Sequence, residues 1–356
     1  MADGSVPGGE QRTQTGVRNG SGPGLDPVVS TRERRRLGLS IPVAGCSLSD
    51  HAGLLERIEA LGYTDLWTQE TDGHDAFTPL AFAAARTRQV RLGSAIASIS
   101  TRGPALLAMQ AAALADAAPG RFVLGIGTSS PTIVSGWNGL PFERPVARAR
   151  ATLRFLRRTL QGERVDFDEG DVRVRGFRLE RPPAPPPPIF LAALGPQMLG
   201  LAAREADGVL LSLVGPDDVA KIRAARVAAN PAARNHELAL RIGTLVDPDV
   251  DAARARCRRL IAAYLTIGPY AAMHRRLGRG ALLDPIARAW QQGDRARAVS
   301  LVPDDLVDAL FVHGDVETCR RGLARFRAAG LDTPIVSLMS WRGRLDDVLT
   351  GLAEDP

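Results

Sequence analysis

Four short apolar runs decide the fold: LGLSIPV at residues 37–43, YTDLWTQ at 63–69, VRLGSAIA at 90–97 and FVLGIG at 122–127. The runs begin at residues 37, 63, 90 and 122, so their starts lie 26, 27 and 32 residues apart. The first run is followed by apolar residues at helical spacing, such as Leu55 and Ile58, before a stop near Gly62. Repeated strand–helix units give parallel strands joined by right-handed crossovers, so the sequence predicts an α/β protein.

The repeat continues with apolar runs that predict four more strands, at residues 189–193, 208–213, 238–246 and 335–340. Eight units in about 320 residues favour a closed (β/α)8 TIM barrel over a doubly wound sheet. Two insertions interrupt the barrel. The one after strand four contains a loop to Pro145, a helix at about 146–161 and a hairpin at 165–179. The one between strands seven and eight, from Asp249 onward, is predicted to be helical.

The first 36 residues differ from the rest, because Gly, Ser, Pro, Thr and Arg dominate and large apolar residues are nearly absent. Such a segment cannot bury a core, so we predict a disordered arm at 1–36 and the barrel at 37–356. An alternative interpretation is a signal peptide with a lipoprotein cleavage box that ends at Cys46. Its apolar stretch of about seven residues contains Pro42, which is at the lower limit for such a peptide, and the first strand needs the same residues.

Composition excludes several classes of protein. The three cysteines, Cys46, Cys257 and Cys319, are far apart and form no CxxC pair, which argues against a disulfide framework or a zinc site and fits the cytoplasm. The net charge of +6 comes from scattered arginines, and aromatic residues make up only 5%, so no nucleic-acid partner is expected. No segment approaches the ~20 apolar residues of a membrane span.

Polar residues follow the predicted strands at their carboxyl ends, where barrel enzymes carry their active sites. Glu70 and His74 come after strand two, and their ionisable groups suit coenzyme contact and proton transfer. The alternative is a solvated loop in which Asp75 caps the next helix. Arg102, after strand three, either holds an anion or lies in solvent.

An anion site is predicted after strand five, where Ala193, Leu194 and Gly195 lead into a helix that begins at Pro196. A helix N-terminus presents free N–H groups and a partial positive charge to phosphate. An ordinary strand–helix turn has the same pattern, so the residues alone leave both interpretations open.

Several enzyme motifs are missing. Strand four ends in GIGTSS, and Ser130 stands where the dinucleotide fingerprint has its third glycine. No GxxxxGK[ST], GxSxG or HExxH motif occurs, and the five histidines suggest no metal cluster. His51, in the first helix, is expected on the surface.

Six segments together resemble the luciferase-like superfamily, specifically its actinobacterial branch of coenzyme F420-dependent oxidoreductases. They are EALGYTDLW at 59–67, TPLA at 78–81, VRLG at 90–93, GRFVLGIG at 120–127, IFLAALGP at 189–196 and ADG at 206–208. The segments occur in the family's order and at its spacing. The resemblance covers residues 37–230 well and the remainder loosely.

The resemblance implies coenzyme F420, or alternatively FMN, and carries site roles onto matching positions. Glu70 matches a position near the ring of the coenzyme. Ala95 and Ile96 match a bulge that backs the ring, often through a non-prolyl cis peptide. Gly127 and Thr128 match a turn beside the ring. Ala193, Leu194 and Gly195 match a phosphate-binding turn, and Ser212 matches a polar phosphate contact. Thr71 and Ser130 replace the catalytic histidine and acidic donor of some sugar-phosphate dehydrogenases, so that reaction is not expected.

The function that the resemblance implies is hydride transfer between F420 and a C=C, C=N or CH–OH group, with Glu70 or His74 handling the proton. The substrate would be a small molecule or a modified peptide in a tailoring step, and the enzyme a homodimer. An FMN-dependent monooxygenase that needs a flavin reductase is the first alternative. A non-catalytic ligand-binding barrel is the second.

Overall fold

A computed structural model describes residues 35–354, so the predicted arm at 1–36 lies outside the described residues except for its last two. The strands are β1 (Gly38–Ile41), β2 (Asp65–Thr68), β3 (Arg91–Ser94), β4 (Ala97–Ser98), β5 (Phe122–Gly127), β6 (Val165–Glu169), β7 (Val172–Phe177), β8 (Ile189–Ala192), β9 (Gly208–Ser212), β10 (Glu237–Val246), β11 (Phe311–Gly314) and β12 (Thr333–Trp341).

The helices begin with α1 after the first strand, and several start at a proline, which suits the first turn. They are α1 (His51–Ala60), α2 (Thr78–Arg86), α3 (Pro104–Ala117), α4 (Pro145–Leu160), α5 (Pro196–Glu205), α6 (Pro216–Ala229), α7 (Val250–Leu265), α8 (Gly268–His274), α9 (Gly280–Gln291), α10 (Arg295–Ser300), α11 (Asp304–Leu310), α12 (Val316–Ala328) and α13 (Leu345–Ala353). None of the helices within 35–354 is long and apolar enough to cross a bilayer.

Eight strands close into the predicted barrel. Neighbours pair in parallel in the order β1, β2, β3, β5, β8, β9, β10 and β12. The circle closes because β12 pairs back with β1, with Ile335 opposite Gly38 and Val336 opposite Leu39. The (β/α)8 prediction is therefore confirmed, and so is the antiparallel hairpin of β6 and β7 after strand four.

Two reciprocal hydrogen bonds hold the turn that leads into α1. The Ser47 N–H donates to Asp50 Oδ2 at 3.0 Å, and the Asp50 N–H donates to Ser47 Oγ at 3.3 Å. The surface position expected for His51 is wrong, because its side chain is buried. Its Nε2 accepts from the Val43 N–H at 2.8 Å and its Nδ1 donates to the Ser47 carbonyl at 2.7 Å. His51 therefore ties the end of the first strand to the first helix.

Two segments differ from the prediction. The stretch from Ser129 to Pro145, expected to be a loop, contains a π-helical turn at Thr132–Trp137 in which Val134 is fully buried. The second insertion is not wholly helical, because it contains β11. This short strand pairs with Gly243–Val246, the half of β10 that extends beyond its pairing with β9. Pairing satisfies backbone groups that the longer strand would otherwise leave open at its edge.

The barrel interior is packed rather than hollow. Trp67 lies at its centre in a cluster with Val123, Phe190, Leu210, Ala239 and Ile335. A Cβ atom on Gly93 would lie 2.3 Å from the Trp67 ring, so this glycine makes room for the indole. Because the side chains around Trp67 fill the barrel interior, a ligand can enter only from the carboxyl ends of the strands.

Charged groups close the opposite end of the barrel. Arg91 contacts Asp65 through Nε and donates to both oxygens of Glu237, at 2.7 and 2.5 Å. Asp65 is fully buried, and Thr333 also donates to Glu237. Burial alone would raise the pKa of Glu237, but the hydrogen bonds from Arg91 and Thr333 outweigh it and lower that pKa. These residues join β2, β3, β10 and β12 into one network.

Candidate active site

A cavity of about 830 Å³ opens at the carboxyl ends of the barrel strands. The strand ends, the π-helical turn and helices α7 and α8 of the second insertion supply its walls. Nine of the ten residues that the sequence predicts for the site line this cavity. They are Glu70, Ala95, Ile96, Gly127, Thr128, Ala193, Leu194, Gly195 and Ser212.

One wall of the cavity is apolar. Ala95 and Ile96 are joined by a cis peptide bond between β3 and β4, as the resemblance implies for the bulge that backs a coenzyme ring. A Cβ on Gly127 would lie 2.9 Å from Ile96 Cγ1 and 3.1 Å from the Ala192 methyl group. Glycine at this position lets β5 approach the bulge, and the small residues together leave room for a planar ring.

Glu70 lies at the edge of this wall in a partly buried ion pair. Its Oε1 accepts from Arg102 Nη1 at 2.5 Å, and its Oε2 contacts Arg102 Nη2. The N–H groups of Ala76 and Ser98 also donate to the carboxylate, at 3.0 and 3.4 Å. Arg102 in turn stacks over Phe77 at 5.3 Å. Arg102 therefore binds an anion, but that anion is the protein's own carboxylate.

His74 is the one predicted site residue that does not line the cavity, because its side chain is exposed. Asp75, beside it, accepts from the N–H groups of Phe77 at 2.7 Å and Thr78 at 3.0 Å. Burial would raise the pKa of Asp75, but these hydrogen bonds, together with one from the Thr78 hydroxyl, lower it. The loop thus follows the capping interpretation at Asp75, while Glu70 faces the cavity.

The turn after β8 combines two features that attract anions. Gly195 is extended and precedes Pro196, where the ten-residue helix α5 begins, so the unpaired N–H groups of its first turn lie at the cavity. Arg276, from the second insertion, places its Nη1 3.7 Å from where a Cβ on Gly195 would lie. Within residues 35–354, no carboxylate pairs with Arg276. Free backbone N–H groups and a cation therefore meet at this turn, an arrangement that suits an anion.

Sequence reasoning missed Arg276, Arg241 and Tyr270, all of which line the cavity. The signal for Arg241 is the alternation along β10, where Glu237 and Ala239 also face the barrel interior. Arg276 and Tyr270 gave no signal, because they lie in the insertion and reach the cavity only through its fold. Burial raises the pKa of Tyr270, and the neighbouring Ser212 hydroxyl and the charge of Arg241 act in the opposite direction.

The cysteines of the described residues lie outside this cavity. In the part of the chain that the structure describes, no cluster of three or more His, Cys, Asp or Glu residues is placed to hold a metal. Cys257 and Cys319 are buried, and burial raises the pKa of each thiol to about 12. Neither is a thiolate at neutral pH.

Comparisons with known proteins point to one family. The sequence profile of the luciferase-like monooxygenase family matches residues 29–333. A putative coenzyme F420-dependent oxidoreductase of Mycobacterium tuberculosis is 29% identical over 85% of this chain and 94% of its own length. A 5,10-methylenetetrahydromethanopterin reductase of Methanolobus tindarius is 26% identical over 74% of this chain and 82% of its own.

The fold recurs in a solved structure at lower identity. The coenzyme F420-dependent tetrahydromethanopterin reductase of Methanopyrus kandleri superposes with a TM-score of 0.74 and 21% identity, over 90% of this chain and 97% of that chain. The closed barrel, the cis peptide beside the cavity and a profile match over most of the chain agree with one another. The chain belongs to the luciferase-like monooxygenase family.

Proposed function

We propose that this protein is an oxidoreductase that transfers a hydride between coenzyme F420 and an organic substrate bound in the cavity. The observation that carries the proposal is the convergence on one cavity of the apolar wall at Ala95–Ile96 and the helix N-terminus with Arg276 at Gly195. The F420-dependent relative, which is similar over 85% of this chain, supports the choice of coenzyme.

The residues present fit this coenzyme. Ala95, Ile96 and Gly127 would back the deazaflavin ring, with Thr128 beside it. The turn of Ala193, Leu194 and Gly195 would bind the phosphate together with the N-terminus of α5 and Arg276, and the resemblance adds Ser212 as a further contact. Bound F420 supplies a carbon that gives or accepts a hydride.

The chain's own residues would orient the reactants and control the proton. The apolar wall would orient the ring, and the π-helical turn with Trp137 lines the cavity as well. Such a site excludes water and holds the reacting atoms close together. We assign the proton to Glu70 rather than to His74, because Glu70 lines the cavity and His74 is exposed.

The reacting group, a C=C, C=N or CH–OH bond, belongs to the same proposal, as does a small-molecule or modified-peptide substrate in a tailoring step.

We also propose a cytoplasmic homodimer. Leu106 and Met109 on α3 support a dimer, since both are about half exposed, at 50% and 52%. Sedimentation of the wild type and of Leu106→Glu tests this assembly, and a wild-type monomer would contradict it.

A pair of neighbouring arginines tests the phosphate site. We expect Arg276→Met to weaken F420 binding about tenfold or more, because it removes a cation beside the phosphate turn. Arg275→Met is the matched control, since Arg275 is exposed, pairs with Asp284 at 2.8 Å and does not line the cavity. Dissociation constants from quenching of F420 fluorescence provide the measurement. Equal affinities for the two variants would remove Arg276 from the site.

A further inference from the structure

Arg241 carries a positive charge into the cavity that the coenzyme site does not account for. It lies on β10 with Glu237 and Ala239 on the inward face, and its side chain is half-buried at the cavity. In the part of the chain that the structure describes, it forms no ion pair with a carboxylate. Its guanidinium faces the cavity and is available to the anion of a ligand.

Two hydroxyl groups lie next to this charge. Ser212 ends β9, and its Cα is the register partner of Arg241 in the parallel ladder. Tyr270, on α8, lines the same cavity, near enough for the Ser212 hydroxyl and the Arg241 charge to counteract the rise that burial causes in its pKa. All three side chains line the cavity, so one guanidinium and two hydroxyl groups meet there. This is a donor-rich surface for an oxyanion.

The other charges of the cavity are already used. Arg102 neutralises Glu70, so that carboxylate does not compensate Arg241. Arg276 lies over the turn at Gly195, where the coenzyme phosphate is proposed to bind. Among the cavity-lining cations within residues 35–354, Arg241 therefore remains to bind a second anion.

The surface beside these donors is apolar. Tyr264 packs edge-on against Tyr270, with ring centroids 5.2 Å apart, and Ile267 lines the same side. Trp137 lies at the mouth and is 55% exposed. A ligand that satisfies both features has an acidic group attached to an apolar or aromatic body.

We propose that Arg241, Ser212 and Tyr270 form a carboxylate-binding subsite, and that the substrate is a carboxylic acid with an apolar body. The proposal rests on the proposed function, because it assigns the substrate of that hydride transfer. It places the Ser212 hydroxyl with the substrate rather than with the coenzyme phosphate. The alternative source of the anion is the coenzyme itself, and the test separates the two.

The probes are 3-phenylpropanoate and its neutral isostere 3-phenylpropanamide, titrated into the full-length protein with and without F420. Binding is measured by quenching of tryptophan fluorescence, to which Trp137 contributes, and by ligand-observed saturation-transfer NMR. We expect the acid to bind about tenfold more tightly than the amide, because only the acid forms charge-assisted bonds. In Arg241→Met this ratio falls to about one, whereas Arg275→Met keeps it.

Each other outcome contradicts the proposal. Equal binding of acid and amide by the wild type, or the same loss in Arg275→Met, would show that no carboxylate subsite exists at Arg241. If Arg241→Met weakens F420 binding while the acid preference persists, Arg241 belongs to the coenzyme. The ratio of acid to amide affinity is also measured without F420. A failure to bind F420 would therefore overturn the proposed function, while the acid preference would still test the carboxylate subsite. Arg241→Gln replaces the methionine variant if the latter fails to fold, as judged by thermal unfolding.

Discussion

Glu70 joins three segments of the site through one carboxylate. Its oxygens accept from Arg102, which precedes α3, from the Ala76 N–H, which precedes α2, and from the Ser98 N–H in β4. The side chain therefore holds the loop after β2 against the wall that is proposed to back the ring. A group with this many donors contributes to the shape of the site as well as to its charge.

We expect Glu70→Gln to lower the free energy of unfolding by about 1–3 kcal/mol, because it leaves Arg102 partly buried without an anion. Arg102→Met should lower the free energy of unfolding by less in the Glu70→Gln background than in the wild type, since the two side chains act as a pair. Urea unfolding of the wild type, the two single variants and the double variant gives the coupling energy. Additive effects would mean that the ion pair does not hold the loop.

The sequence predicts the residue types of the site better than their partners. Glu70 and the small residues of the wall follow strand ends, so the repeat places them at one end of the barrel. The pairing of Glu70 with Arg102 was not predictable, because 32 residues separate them and Arg102 had two equally open interpretations. Arg241 was visible in principle from the alternation along β10.

Packing inside the barrel depends on where glycines face the central indole. Gly93 lies on β3 opposite Trp67, and a Cβ there would lie 2.3 Å from two ring atoms. Neither the closed sheet nor the buried ring has space to move. The interior is therefore sensitive to a single added methyl group.

We expect Gly93→Ala to lower the free energy of unfolding by about 1–3 kcal/mol through overpacking. Gly53→Ala is the control, because Gly53 lies inside α1 with nothing within 4 Å of an added Cβ. That change should raise stability by about 0.5–1 kcal/mol, since alanine favours the helix. Chemical unfolding measures both, and a neutral Gly93→Ala would contradict the packing of the barrel.

Strands that belong to the strand–helix repeat were predictable, and the strand outside it was not. The first four barrel strands begin 26 to 32 residues apart with a helix after each, which gives a strong signal. The strand β11 lies outside the repeat, and it exists because β10 extends beyond its pairing with β9. The burial of His51 likewise depends on a backbone bond from the neighbouring strand end.

At the scale of the whole molecule, the charged network of Arg91, Asp65 and Glu237 closes one end of the barrel, and the cavity opens at the other. Hydrogen bonds from Arg91 and Thr333 outweigh burial and lower the pKa of Glu237 below its ordinary value of 4.5. A carboxyl group with a lowered folded-state pKa stabilises the fold above its unfolded-state value. It loses that contribution as the pH falls through the folded-state value.

We therefore expect Glu237→Gln to cost about 3 kcal/mol near pH 7, where the wild-type carboxylate is ionised and paired. The difference between the wild type and the variant should shrink as the pH falls below about 4.5, because protonation weakens the same pairing in the wild type. Urea unfolding between about pH 3 and 7 measures it. A difference that stays constant or grows toward acid would exclude Glu237 from this role.

The fold brings distant segments of the chain to one cavity. The apolar wall comes from the first half of the barrel, and Arg241 and Arg276 come from the second.

The central claim is that this cavity binds coenzyme F420. The most direct measurement is a titration of the purified protein with F420 and, separately, with FMN, followed by fluorescence. We expect saturable binding of F420 at micromolar concentration or below, at least about tenfold tighter than that of FMN. Tighter binding of FMN would contradict the claim and indicate a flavin monooxygenase, and binding of neither would indicate a barrel without this coenzyme chemistry.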